Sequence, residues 1–188
     1  MLPFASTSCQ TCQAGTYSVG GQIYSNWTVG SLGDFSTDCT GANCQLWNVT
    51  NTFYMASGNS SGKTNTLSNL RLRAQFNAPT GNTISFVYQV DGEYCRAFFC
   101  DGLAFYIDDN QVFLMSQMLT WSTVTFSVTP GLHYFRWTYI KDYSIDYGLD
   151  AAWIQSIMLV GTRAVEQSCT SCPPGYINTA DGSSNCSA

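Results

Sequence analysis

The sequence predicts an all-β protein, an antiparallel jelly-roll-like β-sandwich with small disulfide-rich terminal segments. Between residues 23 and 162, apolar and polar side chains alternate in many short runs, and turn-forming residues separate those runs. Both ends of the chain are instead rich in cysteine, glycine and serine. No segment has a convincing helical repeat with capping residues, so we expect little or no helix.

The strongest strand signals lie at residues 83–90, 123–128 and 132–140, where apolar side chains recur at every second position. The last of these runs places the following side chains on one face: His133, Phe135, Trp137 and Tyr139. Weaker runs lie at about 45–56, 67–76, 102–108, 111–118 and 152–160. The run at 152–160 would also suit a helix by propensity. Turn signals at 78–82, 108–110 and 129–131 separate the runs, as in a two-sheet sandwich whose leading topology is a jelly roll.

The composition excludes two classes of partner. Charged residues make up only 10% of the chain, the net charge is −5, and the seven basic residues are scattered, so we expect no nucleic-acid partner. No apolar run reaches 18 residues, so we expect no membrane insertion.

Cysteine content and glycosylation sequons indicate an extracellular protein, secreted or displayed at the cell surface. The chain has nine cysteines and carries N-x-S/T sequons whose acceptors are Asn26, Asn48, Asn59 and Asn185. We therefore expect covalent N-glycans. The first residues, MLPFAST, are too short for a signal peptide and lack its charged region. Either a signal peptide has been removed or the chain is a segment of something longer, and we favour the second interpretation.

Two cysteine pairs have a spacing that suits local disulfides. Four residues separate Cys39 from Cys44, and four separate Cys95 from Cys100. Opposed residues in an antiparallel hairpin lie within disulfide reach, so each pair is expected to close a short loop. The alternative is zinc, which needs four ligands and fits this spacing and a single histidine poorly.

No group of residues predicts catalysis, and we expect no enzyme and no catalytic residue. His133 lies inside a predicted strand, and no G-x-S-x-G motif accompanies it. Asp108 and Asp109 lie in a predicted hairpin turn, where aspartate is favoured for its turn geometry alone. A glycosidase needs two carboxyl groups that flank a cleft, and the sequence does not place such a pair.

The segment KDYSIDYGLDAAW contains weak candidates for a calcium site, Asp142, Asp146 and Asp150. Carboxylates and backbone carbonyls suit calcium, although the spacing is not that of an EF-hand. The alternative is a polar turn with capping carboxylates. No other cofactor is expected.

Aromatic residues make up 14% of the chain and leave two interpretations open. Exposed rings could form a platform for sugars, or the rings could fill the core of a two-sheet fold. The tryptophans are Trp27, Trp47, Trp121, Trp137 and Trp153.

The stretch HYFRWTYIKDYSIDYGLDAAWIQSIMLVG at 133–161 resembles a signature of secreted bacterial adhesin-like jelly-roll modules. That signature reads aromatic-x-Trp-x-Tyr-x-Lys-Asp-x-Ser, followed by Gly-x-Asp-x-Ala-Trp-Ile and a closing strand. The matching positions are Phe135, Trp137, Tyr139, Lys141, Asp142, Ser144, Gly148, Asp150, Ala152, Trp153 and Ile154. The resemblance covers residues 25–161 and implies a jelly-roll module.

The terminal segments resemble ephrin-receptor-like or TNF-receptor-like cysteine repeats. SCTSCPPGYINTADGSSNC at 168–186 matches most of such a repeat, and SCQTCQAGTYS at 8–18 matches its first half. A sandwich flanked by such repeats resembles the ectodomain of the endosome/lysosome-associated apoptosis and autophagy regulator family and related protist extracellular proteins, which implies a non-enzymatic role. We divide the chain into a partial connector (1–22), the jelly roll (23–162) and an ephrin-receptor-like connector (163–188).

The resemblance to these repeats also implies a disulfide between Cys172 and Cys186. Cys9, Cys12 and Cys169 remain, and two of them can pair if the termini meet, as Cys12–Cys169 or Cys9–Cys169. One is then left for a neighbouring chain; Cys9 is our preferred candidate, followed by Cys169. We therefore predict a structural module that joins copies of itself or neighbouring modules head to tail, in a fibril, appendage or surface coat. The alternative is a carbohydrate-binding, adhesive or receptor-ectodomain module.

Overall fold

A computed structural model describes residues 16–17, 21–93, 100–143, 145–162 and 170–171. These residues form β-strands, turns and loops, and they contain no helix. In chain order the strands are β1 Thr16–Tyr17, β2 Gly21–Tyr24, β3 Ser36–Thr40, β4 Met55–Ala56, β5 Thr66–Phe76, β6 Thr83–Asp91, β7 Gly102–Ile107, β8 Asn110–Met115, β9 Met118–Ser127, β10 Gly131–Lys141, β11 Ala151–Val160 and β12 Thr170–Ser171.

The strands form two five-stranded antiparallel sheets and one small two-stranded sheet. The first large sheet, which we call sheet A, has the strand order β3-β5-β10-β7-β8. The second, sheet B, has the order β2-β11-β6-β9, and β4 pairs with β11 beyond the end of β2. At the centre of sheet A, Trp137 of β10 lies opposite Leu70 of β5 and Phe105 of β7.

The core lies between the inner faces of sheets A and B. Because side chains alternate along a strand, Phe105 and Trp137 point inward from sheet A and meet Phe86 of sheet B. The Phe86 ring centroid lies 4.9 Å from that of Phe105 and 5.6 Å from that of Trp137. The inner faces of the two sheets thus interdigitate, as the alternating pattern predicts.

The predicted fold class is confirmed: the described residues form an all-β, antiparallel, jelly-roll-like sandwich. Runs predicted as strands at 83–90, 123–128 and 132–140 lie within β6, β9 and β10, except that Val128 follows the end of β9. The run at 152–160 is a strand and not a helix, and it has a bulge between Ile154 and Ser156.

The strand predicted at 45–56 is wrong except for Met55 and Ala56. Trp47 and Val49 are buried, yet they reach the core from a loop, where the Trp47 indole N–H donates to the Ser68 carbonyl at 2.9 Å. Strand β3 was not predicted, because its STDCT sequence lies at the edge of sheet A and carries no apolar alternation.

The chain enters and leaves the sandwich on neighbouring strands. Gly21 at the start of β2 lies opposite Val160 at the end of β11. Outside the sandwich, β1 pairs with β12 through Thr16 and Ser171. Residues 16–17 and residues 170–171 are therefore joined backbone to backbone.

The structure contains the local disulfide between Cys39 and Cys44, whose Cα atoms are 5.9 Å apart. Cys100 is disulfide-bonded as well, and its predicted partner Cys95 lies outside the described residues. Further predictions that fall outside them concern Cys9, Cys12, Cys169, Cys172, Cys186 and Asn185.

Candidate functional site

An aromatic patch lies on the outer face of sheet B and consists of Tyr54, Trp121 and Trp153. Trp153 points outward because its neighbours Ala152 and Ile154 are fully buried. Trp121 is 40% exposed. The Tyr54 ring centroid lies 6.0 Å from that of Trp121 and 6.5 Å from that of Trp153, so three separate segments of the chain supply one surface.

A polar side chain lies between the two tryptophans. Gln89 of β6 is opposite Trp153, and its side-chain amide donates to the Leu119 carbonyl at 2.9 Å. This donation fixes the amide group and leaves its oxygen as an acceptor at the surface. Aromatic faces beside fixed polar groups are typical of ligand-binding surfaces.

The loop between β10 and β11 adds exposed apolar side chains at the same end of sheet B, where the Leu149 N–H donates to Asp91 of β6. The exposed members are Tyr143, Ile145, Tyr147 and Leu149, each more than half exposed. Such a concentration of apolar surface is typical of an interaction site.

A second group of residues lies inside the same end of the sandwich and centres on Lys141 and Asp101. Lys141 points inward because it follows Trp137 and Tyr139 at alternate positions of β10. Its ammonium nitrogen lies 3.0 Å from Oδ2 of Asp101, and both side chains are 0% exposed. Ile140 lies opposite Gly102, so Lys141 and Asp101 are the next residues of that register.

Two further carboxylates approach the lysine, and a third, that of Asp150, contacts its partner Asp101. The Lys141 Nζ lies 3.8 Å from Oδ1 of Asp142 and 3.8 Å from Oδ1 of Asp146, and it donates to the Ile145 carbonyl at 2.9 Å. Asp150 is fully buried and accepts a hydrogen bond from the Ser61 hydroxyl at 3.2 Å. The negative charge therefore outweighs the single ammonium group.

Burial and charge shift the proton affinities of this group. Burial raises the pKa of Asp150 from 3.8 to about 6; Lys141 opposes this shift, and Asp101 adds to it. Burial alone would lower the pKa of Lys141, but its hydrogen bond to Asp101 and the carboxylates raise that pKa overall. Burial, with Asp101 and the other carboxylates, raises the pKa of Tyr139 above its ordinary value.

The structure brings the weak calcium candidates Asp142 and Asp146 to the lysine and buries Asp150 near Asp101. Carboxylate oxygens of Glu93, Asp101 and Asp142 lie within 4.8 Å of one another. However, the Lys141 ammonium already faces two of these three groups and would repel a divalent cation. The arrangement thus fits carboxylates paired with a lysine better than a calcium site, and we assign no metal ligand.

His133 forms a structural pair with Asp108. Its Nδ1 lies 2.6 Å from Oδ2 of Asp108, and its Nε2 lies 2.9 Å from the Thr129 carbonyl and 3.2 Å from the Thr129 hydroxyl. Both ring nitrogens are thus engaged within the fold, which fits a structural role for His133. Asp108 and Asp109 occupy the hairpin turn with φ values of 50° and 62°, as predicted for a turn.

Asp101 and Tyr54 were not singled out from the sequence. Asp101 follows a cysteine and precedes a strand, and only the register of β7 against β10 places it opposite Lys141. Tyr54 lies in a loop. Its contacts are with two tryptophans that are distant in the chain, so the sequence around Tyr54 contains no pattern that predicts them.

No protein-family model and no curated protein matches the chain. Among solved structures, it is similar to the K3 cleaved adhesin domain of Lys-gingipain from Porphyromonas gingivalis, with a TM-score of 0.51 and 13% identity over 70% of this chain and 94% of that domain. A family 35 carbohydrate-binding module from an environmental isolate aligns with a TM-score of 0.41 and 14% identity, over 81% of this chain and 99% of the module. The adhesin domain shows the fold alone.

The described residues contain no helix that is long and apolar enough to cross a membrane.

Proposed function

We propose that this chain is a non-enzymatic extracellular adhesive module that binds carbohydrate at the aromatic patch. The observation that carries this proposal is the contact of the Tyr54 ring with Trp121 and Trp153 on the outer face of sheet B. A pyranose presents an apolar C–H face that packs on such rings, while its hydroxyl groups need polar partners such as the Gln89 amide.

The patch is not needed to fill the core. The interior has its own aromatic residues, including Phe86, Phe105 and Trp137, and these are at most 1% exposed. The 40% exposure of Trp121 leaves apolar area in water, which favours a binding role for that ring over a packing role.

The sequons and the disulfide support an extracellular location. Asn26, Asn48 and Asn59 are all exposed, as glycan acceptors must be. The Cys39–Cys44 bond is typical of an oxidising compartment.

A glycan array followed by titration of the full chain tests this proposal. We expect a sugar ligand that quenches tryptophan fluorescence, and we expect Trp121→Ala to weaken its binding at least tenfold, about 1.4 kcal/mol. Tyr134→Ala is the control, because Tyr134 is an exposed aromatic residue of sheet A. The absence of any glycan ligand, or unchanged binding by Trp121→Ala, would contradict the proposal.

A second candidate is a structural role in a longer cysteine-rich assembly. It is supported by the pairing of β1 with β12, which places residues 16–17 beside residues 170–171. Assembly of copies into a fibril or coat stays a prediction. If it holds, non-reducing electrophoresis shows a ladder of oligomers that Cys9→Ser abolishes, whereas monomers alone in the wild type would contradict it.

A further inference from the structure

The buried lysine cluster has the composition and geometry for a covalent reaction between two side chains. We propose that Lys141 and Asp101 form an intramolecular isopeptide bond, with Asp150 as the acid that carries the proton. This proposal is independent of carbohydrate binding, because the residues lie inside the sandwich and not on the aromatic patch.

The two reacting groups are held in position by the sheet. Lys141 ends β10 and Asp101 directly precedes β7, and the register of these neighbouring strands places them opposite each other. The Lys141 nitrogen lies 3.0 Å from Oδ2 of Asp101. Atoms at this separation on two fixed strands have lost most of the motion that otherwise slows a reaction.

The two oxygens of the Asp101 carboxyl differ in a way that suits this chemistry. Oδ1 accepts the backbone N–H of Asp142 at 2.8 Å, which fixes the carboxyl plane and stabilises charge on that oxygen. Oδ2 is buried and faces the lysine nitrogen at 3.0 Å, and no backbone N–H in the described part of the chain donates to it. Oδ1 would thus become the amide oxygen, and Oδ2 would leave.

The reaction balances without any other reactant. The ammonium nitrogen loses a proton, the amine attacks Cγ of Asp101, and a C–N bond forms. The bond from Cγ to Oδ2 breaks, and Oδ2 leaves as water with two protons that come from the lysine nitrogen. Asp150 receives a proton from the nitrogen and passes it to Oδ2, so it ends the reaction as it began.

The surroundings favour the amide over the separated charges. Both reacting side chains are 0% exposed, so water that leaves does not readily return. An ion pair in such a place carries a desolvation penalty, which the neutral amide removes. Asp150 shares a side-chain hydrogen bond with Asp101, which places it at the reacting carboxyl group. Burial raises the pKa of Asp150 to about 6, so it can take up and release a proton near neutral pH.

Tyr139 supplies a polar group at the same place. Its hydroxyl is buried and has no hydrogen-bond partner in the described part of the chain. A Cβ atom built on Gly92 would lie 3.0 Å from this hydroxyl and 3.3 Å from Cβ of Asp101, so the hydroxyl and Asp101 border one small space. A new amide group there would offer the hydroxyl a partner that it lacks before the reaction.

Mass spectrometry of the full chain, produced without N-glycans and then fully reduced and denatured, tests the proposal. We expect a mass lower than the calculated one by one water molecule. Trypsin should leave the bond after Lys141 uncut and yield peptide 97–136 joined to peptide 137–163. A chain of the full calculated mass that is cleaved after Lys141 would overturn the proposal and leave a buried ion pair in its place.

Two variants separate the roles of the residues. Lys141→Arg keeps a positive charge but cannot form this amide, so its mass should match the calculated value. Asp150→Asn keeps the side-chain volume, and we expect it to fold, by circular dichroism, with the bond unformed or formed more than tenfold more slowly. If Asp150→Asn loses water as fast as the wild type, Asp150 does not carry the proton. The wild-type mass decides the bond itself without any variant.

Discussion

Strand β10 carries an acid–base pair at each end, and the two pairs differ in burial. His133 near its start faces Asp108, which directly follows β7, while Lys141 at its end faces Asp101, which directly precedes β7. The Asp108 side chain is 41% exposed, whereas Lys141 and Asp101 are both 0% exposed. The register between β7 and β10 therefore places one acid–base pair, His133–Asp108, near water and the other, Lys141–Asp101, away from it.

This difference shows that burial, more than spacing, decides what a charged pair does. At the His133 end, water solvates the carboxylate, so the pair costs little and contributes little. At the Lys141 end, neither charge reaches water, so the loss of one partner leaves the other buried without a counter-charge. The Lys141 end is also where we propose covalent chemistry.

Lys141→Met tests the buried end and should have the largest effect. It leaves the Asp101 carboxylate buried without its cation, so we expect the free energy of unfolding to fall by about 3–5 kcal/mol in urea titrations. Arg136→Met is the matched control, since Arg136 lies on the same strand and pairs with Asp109, whose side chain is 89% exposed. We expect that control to lose about 1 kcal/mol or less. Equal losses in both variants would remove the contrast between the two environments.

Replacing both buried partners should restore much of this loss. The double variant Lys141→Met, Asp101→Leu contains no buried charge without a partner at this position. It should therefore be more stable than Lys141→Met alone by at least about 2 kcal/mol. Asp101→Leu alone completes the cycle. If the two single losses simply add in the double variant, Lys141 and Asp101 do not act as a pair.

His133→Gln tests the exposed end, where we expect a smaller loss of about 1 kcal/mol. Glutamine can contact the Asp108 carboxylate or the Thr129 carbonyl but does not bridge the two as the imidazole ring does. Thermal unfolding at neutral pH measures the change. A loss as large as that of Lys141→Met would show that partial exposure of Asp108 does not weaken the pair.

The sequence predicts the strands on which both pairs lie, but not the contrast between them. Alternation at His133, Phe135, Trp137 and Tyr139 correctly marks the inner face of β10, and Lys141 continues that alternation. A lysine is almost never fully buried unless it is paired, so nothing local predicts its burial. Its partner Asp101 is 40 positions away in the chain, and only strand register brings it near.

The aromatic patch was beyond sequence reasoning for a similar reason. Alternation indicates that Trp153 and Ile154 lie on opposite faces of β11, but it does not show which face is outer. Tyr54 reaches Trp121 and Trp153 from a loop, by contacts between strands that are distant in the chain. The composition therefore left both aromatic interpretations open, and sheet order decides which rings are exposed.

The dependence of stability on acid gives the smallest and most specific test of the exposed end. Burial alone would raise the pKa of Asp108, but the Tyr134 N–H and His133 lower it below its ordinary value of 3.8. The folded protein therefore binds this proton more weakly than the unfolded chain does. The contribution of Asp108 is fully present above pH 3.8 and is lost as the pH falls through the lowered folded value.

Asp108→Asn removes this titration while its side chain still tolerates the positive φ of the turn. We expect the variant to be less stable than the wild type at pH 7, and we expect this difference to shrink as the pH falls from 4 to 2. Urea midpoints measured for both proteins across this range provide the comparison.

Because the Asp108 side chain is 41% exposed, its contribution to stability should also weaken as salt is added, whereas the contribution of the fully buried Lys141–Asp101 pair should not. Parallel curves for the wild type and Asp108→Asn at every pH would mean that His133 and Asp108 are neighbours without being coupled.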